Sequence, residues 1–206
     1  PGYLNKEKGR FPVIYTSIAL SKPFIKQHII KLEKSDLKFK TCVKDTNSIK
    51  QVRIVPKTDF IVMEVLYKVN EQALQKDNGR YCGIDIGVNN LATVSSNVTK
   101  PFIINGRPLK SINQYYNKKT SYYKSILKKR NEKNTSNRLK SLVNKRNKKI
   151  DDYLHKASRL LVNQLADRSI TTLVIGRNKD WKQDINIGKR NNQNFVGIPF
   201  YKFIQQ

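Results

Sequence analysis

The sequence has few cysteines, few histidines and no long apolar run. Cys42 and Cys82 are its two cysteines, and they form no C-x-x-C pair. They therefore suit a reducing compartment and predict no zinc site of their own. His28 and His155 are isolated, so we interpret both as structural. No stretch approaches the roughly 18 apolar residues of a membrane span, and no signal peptide is visible.

Acidic residues are also scarce, with 15 Asp plus Glu against 41 Lys plus Arg and a formal net charge of +26. Such an excess repels itself in a compact domain unless a polyanion offsets it. Composition therefore predicts nucleic acid as the partner. A membrane-surface protein could also be basic, but the lack of a long apolar run and of a signal peptide argues against that class.

The most informative stretch runs from Tyr81 to Val94. Apolar residues alternate with Gly83, Asp85 and Gly87, which is the period-2 pattern of a strand with one buried face. The opposite face carries the carboxylate of Asp85 on what we predict to be a buried central strand. The turn residues from Gly87 to Asn90 predict that the chain folds back as a hairpin.

Three interpretations of this Gly-Ile-Asp-Ile-Gly pattern stay open on the residues alone. It can be a surface hairpin with a solvated acid, a phosphate-holding turn of Hsp70- or sugar-kinase-like ATPases, or the first metal-binding strand of a RuvC-like nuclease. The flanking glycines leave room for a metal ion and a phosphate near the acid.

Residues 1–76 are rich in short alternating strands separated by turns. The pattern predicts a small antiparallel barrel or sandwich. Basic residues occupy the polar positions that alternate with apolar ones along these strands. This placement suits a solvated strand face as well as a nucleic-acid groove. Residues 71–80 are polar and are predicted to be a linker.

Residues 110–149 contain fourteen Lys and Arg against one acid, Glu132. Apolar and aromatic residues recur at helical spacing on both sides of a turn-rich segment, residues 131–136. We predict two helices that form an antiparallel hairpin, the second from about 137 to 168. One-signed charge with interleaved tyrosines favours a surface that contacts a phosphate backbone, because solvated faces normally mix signs. The basic residues assigned to nucleic-acid binding here and beyond are Lys118, Lys119, Lys128, Lys129, Arg130, Lys145, Arg146, Lys189 and Arg190.

The β-branched run Ile170–Ile175 follows the long helix, so we predict a parallel strand added by a crossover. Residues 178–194 are predicted to be a polar, basic loop that holds Trp181. An amphipathic pattern resumes from Phe195 to Ile204. The chain begins at Pro1 and stops within this pattern, and we therefore expect it to be a fragment of a longer protein.

In this order, these segments resemble the OrfB/TnpB family of insertion sequences, relatives of the type V CRISPR effector nucleases. The resemblance is carried by residues 52–56, 60–67, 83–93, 152–161, 173–182, 191–195 and 198–200. It implies a mixed α/β chain. An oligonucleotide-binding-like wedge barrel would occupy residues 1–76, and a truncated RNase H-like (RuvC) domain residues 77–206. The helical hairpin, about residues 109–168, would be an insertion in the second.

The resemblance implies cleavage of target DNA selected by pairing to a guide RNA. It also implies a prokaryotic, nucleoid-associated cytoplasmic protein that uses Mg²⁺, with Asp85 as both catalytic residue and metal ligand. Two metal ions need several carboxylates. The family's second acid, a Glu, is replaced by Gly176, and Asp180 and Asp184 lie on a nearby predicted loop. The third acid and a four-cysteine zinc site are expected beyond Gln206.

Two hypotheses remain for the missing Glu: another acid replaces it in the intact protein, or the protein is a nuclease-dead DNA binder. The isolated chain is expected to be inactive in either case. The ATPase interpretation is disfavoured, because no second glycine-rich phosphate turn follows Gly106. A purely structural RNA-binding protein would explain the charge but not the glycines around Asp85. The oligomeric state is not predicted.

Overall fold

The computed structural model describes residues 9–57, 60–71, 73–74, 76–130, 135–176 and 186–206, with only the backbone at Arg190. The chain divides into two compact units, residues 1–73 and 74–206. Within the described ranges, no helix has the length and apolar character that crossing a bilayer requires.

The first unit contains two small antiparallel sheets. Strands β1 (Val13–Thr16), β4 (Ile49–Pro56) and β5 (Ile61–Tyr67) form one sheet in the order β1-β4-β5. Strands β2 (Ile29–Lys31) and β3 (Lys38–Lys40) form the other, and the short helix α1 (Lys22–Lys26) precedes β2. The core of this unit consists of Leu20, Ile30, Leu32, Ile49 and Val52.

The prediction of a barrel in this unit is wrong as regards closure. In the described part of the unit, β1 and β5 each pair with β4 and not with each other. Three strands of four to eight residues are too few to curve round and meet, since small barrels generally close with five or more. The predicted strands over residues 49–67 are present, but the alternation is a poor guide to burial there, because Ile61, Met63 and Tyr67 are exposed on β5.

The second unit is built on a four-stranded sheet in the order β8-β7-β6-β9. Its strands are β6 (Tyr81–Asp85), β7 (Asn90–Ser96), β8 (Phe102–Asn105) and β9 (Thr172–Ile175). The first three are antiparallel neighbours, whereas β9 pairs parallel to β6. The predicted hairpin and the predicted parallel crossover strand are therefore confirmed.

Two long helices connect β8 to β9. Helix α2 (Arg107–Lys129) and helix α3 (Asn137–Asp167) pack against each other, as predicted. Most of the predicted loop between them lies outside the described residues. One face of the sheet is covered, because Cys82, Ile84 and Ile86 share a core with the buried stripe of α3. That stripe consists of Ile150, Leu154, Ala157, Leu161 and Leu165.

Helices α4 (Lys189–Val196) and α5 (Phe200–Ile204) complete this core with Phe195, Ile198, Phe200 and Phe203. The predicted loop over residues 178–194 is wrong for its last part, because residues 189–194 are helical. Polar composition concealed this helix. Its apolar anchors, Phe195 and Ile198, come only at and just beyond its end. Trp181, Asp180 and Asp184 lie outside the described residues.

Gly106 joins β8 to α2 at a point where the backbone is crowded. A Cβ on this residue would lie 2.4 Å from the carbonyl oxygen of Val88 and 3.0 Å from the amide nitrogen of Leu91. Because both contacts are backbone atoms, Gly106→Ala should lower the free energy of unfolding by about 1–3 kcal/mol or more. Urea denaturation measures this loss. Gly83→Ala is the matched control, since its Cβ would meet nothing within 4 Å; an equal loss in both variants would contradict the crowding argument.

Candidate nucleic-acid interface and the Asp85 strand end

Asp85 is the last residue of β6, an inner strand of the second unit's sheet. The parallel register pairs Ile84 with Ile175, the last residue of β9, so Gly176 follows this strand directly beside Asp85. Neighbouring strands lie about 4.8 Å apart, and paired residues direct their side chains to the same face. The position where the resemblance leads us to expect a glutamate is therefore adjacent to Asp85.

The Asp85 side chain is exposed, because the open face of β6 carries Tyr81, Gly83 and Asp85 while the alternate residues are buried. The prediction of an inner strand is confirmed. The carboxylate of Asp85 itself, however, is exposed in the part of the chain that the structure describes. A Cβ at Gly83 or at Gly176 would meet nothing within 4 Å. The space beside this carboxylate is therefore open on two sides.

The described residues do not complete a metal site at Asp85. They contain no group of three or more His, Cys, Asp or Glu side chains arranged to hold a metal ion. Asp85 alone supplies one carboxylate, and Gly176 supplies none. A two-metal centre does not fit the donor set of this part of the chain.

The helical hairpin presents a strongly basic surface. The half-buried stripe of α2 is the one predicted from spacing, namely Ile112, Tyr116, Lys119, Tyr123 and Ile126. The remaining faces expose Tyr115 and Tyr122 together with lysines. Helix α3 begins at a Ser136 cap, whose hydroxyl accepts a hydrogen bond from the Leu139 amide at 3.3 Å.

The predicted nucleic-acid-binding residues fall in three places. Lys118, Lys128, Lys129 and Arg130 are exposed along α2 and its C-terminal cap, and Lys145 is exposed on α3. Lys119 is half-buried, with its ammonium 5.9 Å from the centre of the Tyr115 ring. Lys189 is exposed at the start of α4, and the side chain of Arg190 lies outside the description. The structure therefore groups seven of the nine on one hairpin.

Arg146 differs from the others because its guanidinium is engaged inside the unit. Its Nε donates to Asn113 Oδ1 at 2.8 Å, and another nitrogen donates to the carbonyl oxygen of Gly197. Burial lowers the pKa of Arg146, while Tyr116 and Asp151 oppose that effect. These bonds tie α3 to α2 and to the end of α4. Arg146 therefore has a structural role in addition to any contact with phosphate.

Asn113 was missed by the sequence reasoning. It is buried, and besides accepting from Arg146 it donates from Nδ2 to the Gly197 carbonyl at 3.0 Å. A lone Asn in a polar helix gives no periodic signal. Asn113 lies four residues after the buried Leu109, and this helical spacing is the clue that the sequence offers.

Comparison with known proteins gives one family match. The model of a family described as a probable transposase, OrfB_IS605, matches residues 64–182. The curated proteins give no match. Among solved structures, the chain is similar to one titled "Cryo-EM structure of the Cas12f1-sgRNA-target DNA complex", with 13% identity and a TM-score of 0.43. The alignment covers 98% of this chain and 50% of that one, so this chain spans about half the length of that protein.

Proposed function

The chain belongs to the OrfB/TnpB family of insertion sequences, and from this premise we propose that it is part of a transposon-encoded, RNA-guided DNA endonuclease. The observation that supports this most is the order and direction of the strands around Asp85. An antiparallel three-stranded meander followed, after a long helical connection, by a strand parallel to β6 is the start of an RNase H-like sheet. That arrangement supports a RuvC-like domain.

In this proposal Asp85 is the first acid of the nuclease centre. It stands at the carboxyl end of an inner strand, on the open face of the sheet, with open space beside it. The other acids and the Mg²⁺ ions would be completed by parts of the protein outside the described residues. The zinc site is likewise expected elsewhere in the parent protein.

The second candidate is a nuclease-dead DNA-binding protein of the same family. It is favoured by Gly176, which puts no side chain beside Asp85 where a second carboxylate is expected. Both candidates share the same nucleic-acid-binding surface, and they differ only in whether phosphodiester bonds are broken.

The α2–α3 hairpin is the proposed contact for guide RNA and target DNA. The described parts of residues 107–149 contain no acidic residue. Further along α3, Asp152 is paired with Lys156 at 2.8 Å, and Asp151 is paired with Lys202 at 2.6 Å. The basic surface is therefore not neutralised by these acids, and phosphate is the counterion that its chemistry favours.

Neutralising exposed lysines of the hairpin should flatten the salt dependence of binding. We expect Lys128→Gln, Lys129→Gln and Lys145→Gln each to reduce the slope of log affinity against log salt by up to about 0.9 on duplex DNA, because each phosphate contact releases condensed counterions. Fluorescence anisotropy over a salt series measures the slope.

Lys156→Gln is the matched control for this series. It removes the same charge from α3, but Asp152 already neutralises that lysine. Its slope should stay close to that of the unmodified protein. If the three variants also keep the original slope, the hairpin is not the interface.

The activity itself is tested on the full-length parent protein with its guide RNA. The proposal expects Mg²⁺-dependent cleavage of DNA that matches the guide and none of unmatched DNA. Tight guide-dependent binding without cleavage would select the nuclease-dead candidate. Failure to bind guide RNA would overturn both.

A further inference from the structure

A small cavity lies between the two helices of the hairpin, and its half-buried floor differs in chemistry from its exposed rim. It has a volume of about 240 Å³ and is lined by four residues from each helix. Helix α2 contributes Ser111, Ile112, Tyr115 and Tyr116, and helix α3 contributes Leu142, Lys145, Arg146 and Lys149. These spacings place each group on one helical face.

The floor of this cavity is half-buried and combines aliphatic and aromatic side chains with one guanidinium. Ile112, Tyr116, Leu142 and Arg146 are its half-buried members. The Arg146 guanidinium lies over the Tyr116 ring at 5.7 Å and is held by Asn113 and Gly197. The floor is therefore fixed in place before any ligand arrives.

The rim has the opposite character. Ser111, Tyr115, Lys145 and Lys149 are its exposed members, and Tyr115 is 60% exposed. Neither Lys145 nor Lys149 forms an ion pair with any acid of the described chain. An exposed aromatic ring beside two unneutralised ammonium groups matches a planar group that carries a phosphate.

We propose that this cavity binds one unstacked base of single-stranded nucleic acid, with the ring of Tyr115 stacked on the base and Lys145 and Lys149 on the adjoining phosphates. This inference rests on the proposed function, in which the hairpin binds nucleic acid. It extends that function by adding a site that contacts a base to a surface whose lysines contact phosphates. The volume is below the roughly 300–1,000 Å³ of sites for drug-sized ligands, which suits a single base. Stacking requires only a π-face, so the site accepts any base.

The test compares two substitutions at Tyr115 in the full chain. Tyr115→Leu removes the ring and keeps an apolar side chain, whereas Tyr115→Phe keeps the ring. The probes are a fluorescent single-stranded RNA, the DNA of the same sequence, an abasic strand with the same number of phosphates, and a blunt duplex. We expect Tyr115→Leu to weaken binding of the base-bearing single strands about 5- to 150-fold, the range that stacking of one base spans. Tyr115→Phe should bind as the unmodified chain does.

Charge effects are separated by two further arms. Tyr115→Leu should leave the abasic strand, the duplex and the salt slope unchanged, because no charge is removed. Tyr122→Leu is the matched control, since Tyr122 is 58% exposed on the same helix and lies outside the cavity. A loss confined to RNA or to DNA identifies the strand that supplies the base.

The outcomes also distinguish this inference from the proposed function. Unchanged single-strand affinity in Tyr115→Leu, with a salt slope that still responds to the lysine variants, overturns the base site and leaves the basic interface standing. An equal loss in Tyr122→Leu or on the abasic strand also overturns the base site. Absence of binding by the unmodified chain overturns both. Thermal melting by circular dichroism confirms that each variant is folded.

Discussion

Asp85→Asn in the full-length parent, loaded with guide RNA, should abolish Mg²⁺-dependent cleavage of a matched target while leaving guide and target affinity nearly unchanged. Asn keeps the shape of the side chain but removes the charge that a metal ligand needs. Because the Asp85 side chain is exposed and makes no hydrogen bond or ion pair within the described chain, its replacement should not destabilise the fold. Single-turnover cleavage and anisotropy on the same preparations measure the two effects.

Two controls define how this result is interpreted. Asp152→Asn removes a carboxylate from α3, where it pairs with Lys156, and should retain cleavage. The 206-residue chain alone should not cleave DNA, because its described residues provide a single acid at this strand end. Cleavage that survives Asp85→Asn would reject the RuvC-like assignment. Cleavage by the 206-residue chain alone, if it is lost in Asp85→Asn, would show that this chain already contains all the carboxylates that the reaction needs.

The second unit was largely predictable from sequence because its signals are local. Period-2 alternation with turn residues determined the β6–β7 hairpin, and the 3.6-residue spacing determined α2 and α3. The first unit was less predictable, because closure of a barrel depends on how many strands meet and how they curve. Neither property is encoded in any one strand.

The basic residues show the limit of charge as a guide to function. Arg146 has the same sequence context as Lys145, and both were assigned to nucleic-acid binding. Only the packing of α4 against the hairpin shows that Arg146 donates to Gly197, 51 positions away in sequence. A run of basic residues predicts a basic surface well. It does not predict which of the cationic side chains make hydrogen bonds inside the protein.

The sequence was also an incomplete guide to the surroundings of Gly176, which follows the Ile84–Ile175 pair beside Asp85. The sequence places a glycine where the family pattern has an acid, yet the space around that glycine is a property of the fold. Because a Cβ at Gly176 meets no described atom within 4 Å, the sheet can accept a larger side chain there. This leads to a prediction that does not depend on the reaction.

Gly176→Glu in the 206-residue chain should create a pair of adjacent carboxylates and make the stability of the chain depend on Mg²⁺. The parallel register puts the new side chain next to Asp85, where two like charges repel. A cation that binds only the folded pair offsets the repulsion and stabilises by about 2.7 kcal/mol when its concentration is a hundred times its dissociation constant. We expect the melting temperature of Gly176→Glu to be lowered without Mg²⁺ and to rise by several degrees when Mg²⁺ is added, as measured by differential scanning fluorimetry.

Two variants serve as controls for this prediction. Gly176→Gln, which has the same shape without the charge, should show neither effect, and adding Asp85→Asn to Gly176→Glu should remove both. An equal Mg²⁺ response in the Gln variant would show that residues 85 and 176 do not form a cation site. The closeness of these two positions in the strand register would then not support a shared metal ion.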